Sequence, residues 1–412
     1  MMHRTCSQPF AIWLMFAASY ASQHLATSFI SVTLIVLLRE QGVSLDVIGL
    51  FQLAILPYSL RFLLSPVIER VWQTKSRHFK NWLLLVQWVM VGLLVVMAFL
   101  NPVMEPYALF AALTVFALMI GIQDVALDGL ACRTLDERGR TLINSTQVGS
   151  GMVAGLIAGV LISTYPLLGW RGSILLLMGL SALPLPLLYR YREAVAVIDN
   201  QGRLGKEIVG GFVQMLVFWR HKKSWLAMLA LYGVVYAGSF TVLSPSLVDN
   251  GWQMEEIGLL QNYGTLVGLV AVVAIIPLTK RLSRLRAMQV LTALQLVALG
   301  CVLPLAMGYA TPFFAYLAMT GSYLTFAPMF TLNSKTMMDF AASSDTPATL
   351  YSTQISVAML ISIMTSSLFF ALAERIGYQA VLLLSMTAAL LLLAAMTRAG
   401  VAKMMCDGAV RA

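Results

Sequence analysis

Apolar stretches of about twenty residues, the length a helix needs to cross the hydrocarbon core of a bilayer, recur from one end of this chain to the other. Twelve can be placed, near 10-38, 47-69, 82-100, 107-127, 143-165, 171-189, 224-247, 256-278, 287-308, 312-334, 349-373 and 377-397. Inside hydrocarbon every backbone N–H and C=O must find its partner within the segment, so spans of this length are helices. Only 11% of the residues are charged and 59% are apolar, against about 25% charged in ordinary soluble domains. The expected fold class is therefore an all-α membrane protein with twelve transmembrane helices.

The first span has the make-up of a secretory leader, with His3 and Arg4 before "FAIWLMFAASYAS". Apolarity continues to Leu38, however, and removing the segment would break the internal repeat described below, so it is read as a span. Cys6, Cys132, Cys301 and Cys406 lie far apart without a CxxC pair, and the four histidines form no ligand cluster with them. That spacing suggests neither a disulfide framework nor a metal site.

Basic residues set the expected orientation. Of the 27 Lys and Arg, 22 fall in the segments around 70-80, 133-140, 190-223 and 280-286 and at the two termini. Arg39, Arg171 and Arg375 fall on the opposite side, and Arg61 and Lys335 lie within spans. This asymmetry places both termini in the cytoplasm. The net charge of +9 thus reports topology and gives no reason to expect nucleic acid as a partner.

The spans divide into two sixes. Residues 190-223 form the longest polar stretch, separating an N-terminal six-helix bundle (1-189) from a C-terminal one (224-398), with a tail at 399-412. "GVSLDVIGLFQ" (42-52) aligns with "GWQMEEIGLLQ" (251-261), and "NSTQVGSGM" (144-152) with "YSTQISVAM" (351-359), at nearly one offset. Two matches at equivalent spans predict pseudo-symmetric six-helix bundles joined by a cytoplasmic linker, the pattern of transporters whose halves rock about a midplane site.

"GIQDVALDGLACR" (121-133) closes the fourth span and carries Asp124 and Asp128 four residues apart on one helical face. Asp124 lies nine residues before Arg133, about 13 Å above that end at roughly 1.5 Å per residue. Arg61 lies nine residues before Arg70 in the second span, at the same depth. An unpaired charge there costs roughly 2.5–3.5 kcal/mol on insertion scales, so the expected solutions are mutual pairing or a watery cavity. The pair either locks two helices or lines a cavity that binds solute or carries a proton. Asp128, one turn lower, is expected with Glu69 and Arg133 to latch the helix ends. The repeat maps Asp124 to Lys335 and Asp128 to Asp339, giving one acid and one or two cations suited to an anionic or zwitterionic solute. Lys335 has the alternative of snorkelling to the surface.

Weaker candidates complete the set. His24, beside Gln23 in the first span, either relays protons or is a buried histidine satisfied by a neighbour. Gln52 and Gln261 are symmetric and polar, equally suited to interhelical hydrogen bonds. Tyr232, Tyr236 and Asn262 are expected to line the C-terminal half of the cavity. Gly151, Gly155 and Gly159 repeat every four residues in the fifth span and are read as packing.

"IGLFQLAILPYSLRFLLSPVIER" (48-70), "QDVALDG" (123-129), "DERGR" (136-140) and "LGWRG" (168-172) resemble segments of the major facilitator superfamily. Within it they are similar to the branch of AmpG-type muropeptide permeases, acetyl-CoA transporter-like proteins and siderophore permeases of the pyochelin and rhizobactin kind. Arg61 stands where that branch usually has Lys, Leu64 replaces its Trp and Glu69 its Asp. Twelve spans fit here, where AmpG-type permeases often carry two more. The resemblance implies a secondary active permease of a bacterial inner membrane, importing a polar or anionic solute. A ferric siderophore comes first and a muropeptide second.

Proton coupling is expected from an acid within a span, and no GxxxxGK[ST] loop for direct ATP coupling is present. The expected partners are a small-molecule solute, membrane lipid and the proton gradient, with the chain a monomer and without a cofactor. A membrane-embedded enzyme or sensor on the same scaffold is the reading from another class. It would need a nucleophile with a positioned base, an HExxH-type cluster or a folded soluble domain, none of which the sequence displays, so the chain is not read as an enzyme.

Overall fold

The computed structural model describes residues 10–64, 68, 78–135, 137–193, 217–342 and 347–398, and all its regular elements there are helical. Most of the 190-223 linker and the 399-412 tail lie outside these residues. The helices are α1 (Phe10–Glu40), α2 (Leu45–Leu53), α3 (His78–Phe99), α4 (Pro106–Thr134), α5 (Glu137–Ala182), α6 (Pro184–Arg190), α7 (Lys223–Asp249), α8 (Met254–Arg281), α9 (Arg284–Ala306), α10 (Pro312–Ala342) and α11 (Pro347–Thr397).

Among the described residues, eight helices are long and apolar enough to cross a membrane. Two of these hold more than one crossing needs. In α5 the helix is interrupted at Gly169 (φ 61°), and in α11 at Gly377 (φ 83°). Glycine reaches that left-handed region without a Cβ clash. With α10 and the shorter apolar helices of the second span, the arrangement is consistent with twelve crossings. Prolines stand at the start of α4, α6, α10 and α11, where a missing N–H costs nothing and φ is already helical.

By their packing the residues fall into two compact units, Met1–Leu34 with Ala54–Gln201, and Ile35–Leu53 with Gly202–Ala412. In the first, α1 packs on α5 and α3 on α4; in the second, α7 packs on α11 and α9 on α10. The same pairing order in both is the repeat seen in the sequence, and local geometry repeats with it. Gly42 and Gly251, aligned in the sequence, adopt φ of 77° and 78°.

Lipid gives helices no hydrophobic reason to associate, so close packing and interhelical hydrogen bonds hold them. The second aligned motif supplies one such bond per unit. Trp13 in α1 donates to Thr146 of "NSTQ" (2.9 Å), and Trp225 in α7 donates to Gln354 of "YSTQ" (3.0 Å). A second matched pair lies deeper. Gln87 in α3 donates to the Ser22 hydroxyl (3.1 Å) and the Ser181 carbonyl, and accepts from Gln123 (2.9 Å). Gln295 in α9 donates to Ser239 (2.9 Å) and accepts from Thr325. Both glutamines are fully buried.

Candidate functional site

The second span is not one helix. Pro57 has no N–H to offer the carbonyl of Leu53 four residues earlier, and α2 ends at Leu53. A single turn, Leu56–Ser59, and a 3₁₀ turn, Arg61–Leu63, follow. Broken helices at membrane depth are tolerated where other groups take up the freed backbone, and they are where transporters build sites.

Arg61 stands at this break and forms an ion pair with Asp124 of α4. Gly121, one turn before Asp124, packs against this break. A Cβ there would lie 3.4 Å from that of Arg61. The carboxylate also accepts from Gln23 of α1. Tyr58 closes the cluster, its hydroxyl accepting from Arg61 (2.8 Å) and Gln23 (3.4 Å) and its ring lying 4.9 Å from the guanidinium carbon. Asp124 is 2% exposed and Arg61 17%. Both charges are thus paired and hydrogen-bonded, the condition under which a low-dielectric site can hold them.

His24 follows Gln23 in α1. Its ring faces α5 at Gly151, where a Cβ would lie 3.7 Å from Nδ1. Its Nε2 is buried without a hydrogen-bond partner, as is Oε1 of Gln23.

The lower acid has a partner that the sequence did not suggest. Asp128 accepts from Tyr20 of α1 (3.0 Å). Glu69 and Arg70 lie outside the described residues, as does the side chain of Arg133.

In the second unit, Tyr232 and Tyr236 of α7 have ring centroids 4.8 Å apart. Tyr236 packs edge-on against Phe326 of α10 at 5.4 Å, and Phe240 bridges Phe326 and Tyr323 at 5.1 and 5.4 Å. Gln261 of α8 donates to the Tyr323 hydroxyl. The Tyr236 hydroxyl donates to the Thr325 carbonyl (3.1 Å), three residues before Pro328. Asn262 Oδ1 is buried without a hydrogen-bond partner. Gln52 is buried too. Lys335 is exposed and has no ion pair among the described residues. Asp339 pairs with Arg284 at the start of α9.

A further charged cluster in this unit joins α1, α2, α7 and α11. Arg39 grips Asp249 with two hydrogen bonds (2.5 and 2.8 Å), Tyr378 donates to the same carboxylate (2.7 Å), and Glu374 accepts from the Leu45 backbone N–H at the start of α2 (2.8 Å). Among the described residues no group of three or more His, Cys, Asp or Glu could hold a metal ion.

Of the sequence candidates, the structure brings Arg61 and Asp124 together in the first unit, with His24 next along α1 to Gln23, which donates to Asp124. Tyr232 and Tyr236 adjoin each other in the second, with Gln261 at the edge of the same aromatic cluster. Gln23, noted beside His24 in the sequence, joins the ion pair, and so does Tyr58, which only the "LPYSLR" proline marked. Arg284 was hidden in a basic run that reads as topology.

The geometry can be set beside known proteins. A Rickettsia felis protein carrying the provisional name transporter AmpG 4 is 30% identical over 130 residues, 31% of each chain. Its namesake from Rickettsia conorii is 28% identical over the same length. These matches span about a third of either relative. Among solved structures, the E. coli xylose transporter XylE in an inward-open conformation superposes with a TM-score of 0.67 at 14% identity, covering 93% of this chain and 95% of that one. A bacterial homologue of the iron transporter ferroportin gives 0.66 at 16% identity, covering 94% and 97%. At such identities these likenesses concern the fold. The sequence profile of the Major Facilitator Superfamily matches residues 16–346. The chain therefore belongs to the Major Facilitator Superfamily.

Proposed function

We propose that the protein is a proton-coupled secondary permease that imports a polar or anionic solute, with the Arg61–Asp124 pair at the heart of its site. The observation that carries this reading is a buried ion pair set at the break of the second span and flanked by Gln23 and Tyr58. A pair meant only to lock helices has no need of a broken helix or of unpartnered polar atoms beside it. An acid in a span that can exchange its cation for a proton is a natural coupling group. The orientation, with both termini and the linker in the cytoplasm of a bacterial inner membrane, rests on the distribution of basic residues. The chain acts as a monomer in lipid.

A ferric siderophore is the first substrate. The aromatic cluster of Tyr232, Tyr236, Phe240, Tyr323 and Phe326, with the unpartnered Oδ1 of Asn262, supports a solute bearing rings and polar groups. The AmpG-named relatives favour a second reading, a muropeptide. A deletion strain should lose growth on iron supplied as one particular siderophore and regain it with the gene restored. Unchanged growth on every siderophore, together with lost uptake of a labelled muropeptide, selects the second reading. Uptake into vesicles should collapse with a protonophore and persist without ATP; uptake insensitive to the protonophore removes proton coupling.

A further inference from the structure

The register of α10 fixes where Lys335 stands. Tyr323 and Ala327 face α8, where a Cβ on Gly268 would lie 3.3 and 3.6 Å from them. Gly321 and Thr325 face α9, at Ala298 and Gln295, and Asp339 pairs there with Arg284. Phe326 and Phe340 face α7, packing edge-on against Tyr236 and Trp225, each at 5.4 Å. At 3.6 residues per turn, Lys335 lies about 180° around the helix from Phe326 and about 140° from Phe340. It therefore points away from α7 and into the gap between α8 and α9. Those two helices both pack along α10 and scarcely touch each other, which leaves this strip of α10 open. Leu317, Leu324, Thr331 and Met338, spaced by seven, are all exposed, and Lys335 is exposed beside them.

We propose that Lys335 holds the phosphate of an anionic phospholipid whose acyl chains lie along the exposed strip of α10 between α8 and α9. Lys335 has neither an ion pair nor a hydrogen bond among the described residues, and an ammonium inside a span has to find an anion or reach water. Asp339, the carboxylate one turn away, is taken by Arg284 at the first position of α9. That pair also marks depth. Lys335 stands four residues, about 6 Å, further from this end of the helix, a distance its stem covers by snorkelling toward the headgroups. Arg281 at the end of α8 and Arg286 in the first turn of α9 are exposed and bring two more cations to that level. A basic recess between spans is where lipid headgroups bind. Free phosphate would gain the cations alone, whereas exposed Leu317 and Leu324 are surface that only acyl chains can cover. Lys335 is thus given a lipid and not the solute, and the site stands whichever solute is carried.

Full-length protein released from detergent micelles in a mass spectrometer reports which lipids stay bound. Phosphatidylglycerol should be retained on the unmodified protein about tenfold better than phosphatidylcholine of the same chains. Lys335→Gln should remove most of that preference, Lys335→Arg should keep it, and Lys223→Gln, which neutralises an exposed cation at the start of α7, should leave it unchanged. Equal retention of the two lipids by the unmodified protein overturns the proposal, and so does an intact preference in Lys335→Gln. An equal loss in Lys223→Gln would reduce the effect to net charge and overturn it as well. Thermal unfolding in micelles supplies the second measurement. Phosphatidylglycerol should raise the Tm of the unmodified protein and of Lys335→Arg more than that of Lys335→Gln, while inorganic phosphate should do neither. A shift of the same size from inorganic phosphate would assign the cation to a free anion and remove the lipid.

Discussion

Replacing Asp124 by leucine should be the most damaging single change in the first unit, and the reason is an asymmetry between the two partners. Asp124→Leu leaves the Arg61 guanidinium inside the protein with Tyr58 as its remaining hydrogen-bond partner among those described. A guanidinium cannot shed its proton to escape burial. Breaking a buried pair from one side costs about 3–5 kcal/mol, and Gln23 loses its carboxylate acceptor as well. In Arg61→Met the stranded group is a carboxylate, which can take up a proton and become neutral, so the loss should be smaller, about 2–3 kcal/mol. The double variant Arg61→Met with Asp124→Leu removes both charges. What remains is the lost bond to Tyr58, and the cost should fall to about 1–2 kcal/mol. Reversible unfolding in mixed micelles, followed by circular dichroism, measures all four corners of this cycle. The reasoning fails if Asp124→Leu is as stable as the unmodified protein, or if the double variant loses the sum of the two singles.

Other consequences follow from the packing. Gln87→Leu should destabilise the protein by about 2–4 kcal/mol, because the Ser181 carbonyl, the Ser22 hydroxyl and the Gln123 amide each lose a buried partner at about 1–3 kcal/mol for a group left unsatisfied; a thermal shift equal to that of a lipid-facing substitution such as Val96→Leu would contradict it. Gly42→Ala and Gly251→Ala meet no neighbouring atom within 4 Å, so each should cost only the left-handed backbone penalty, about 1–2 kcal/mol, and the two losses should match in the same unfolding assay. Reporter fusions at Asn200 and Glu105 should report opposite sides of the membrane, and the same side for both would end the twelve-span topology.

Some of this was written openly in the chain. Apolar runs of crossing length and two aligned motifs fix the helical class and the internal repeat, because hydrocarbon imposes length and composition directly. Arg61 and Asp124 stand out in the sequence because charge inside a span is rare and equal depth suggests a partner. The break at Leu53 is less visible, since the apolar run passes through it unchanged and only Pro57 marks it. Gln87 and Gln295 were not singled out at all. Their partners come from different spans, and no spacing along one helix predicts which serine a glutamine on another will reach. Asp128 illustrates the same limit. Its spacing along the helix does not single out the Tyr20 hydroxyl, one aromatic among many in the first span, which donates to it.

Exchanging the charges of the central pair tests the account most directly. Arg61→Asp combined with Asp124→Arg keeps one cation and one anion at the same depth, so protein level and thermal stability should recover toward those of the unmodified chain. Uptake of the solute identified by growth should nevertheless stay abolished in vesicles carrying a proton gradient, because the acid then sits on the wrong helix, away from Gln23. Asp124→Asn alone should reach the membrane and fail to transport. Normal proton-driven uptake by Asp124→Asn at matched expression, or full uptake by the exchanged pair, would contradict the account and return both residues to a purely structural role.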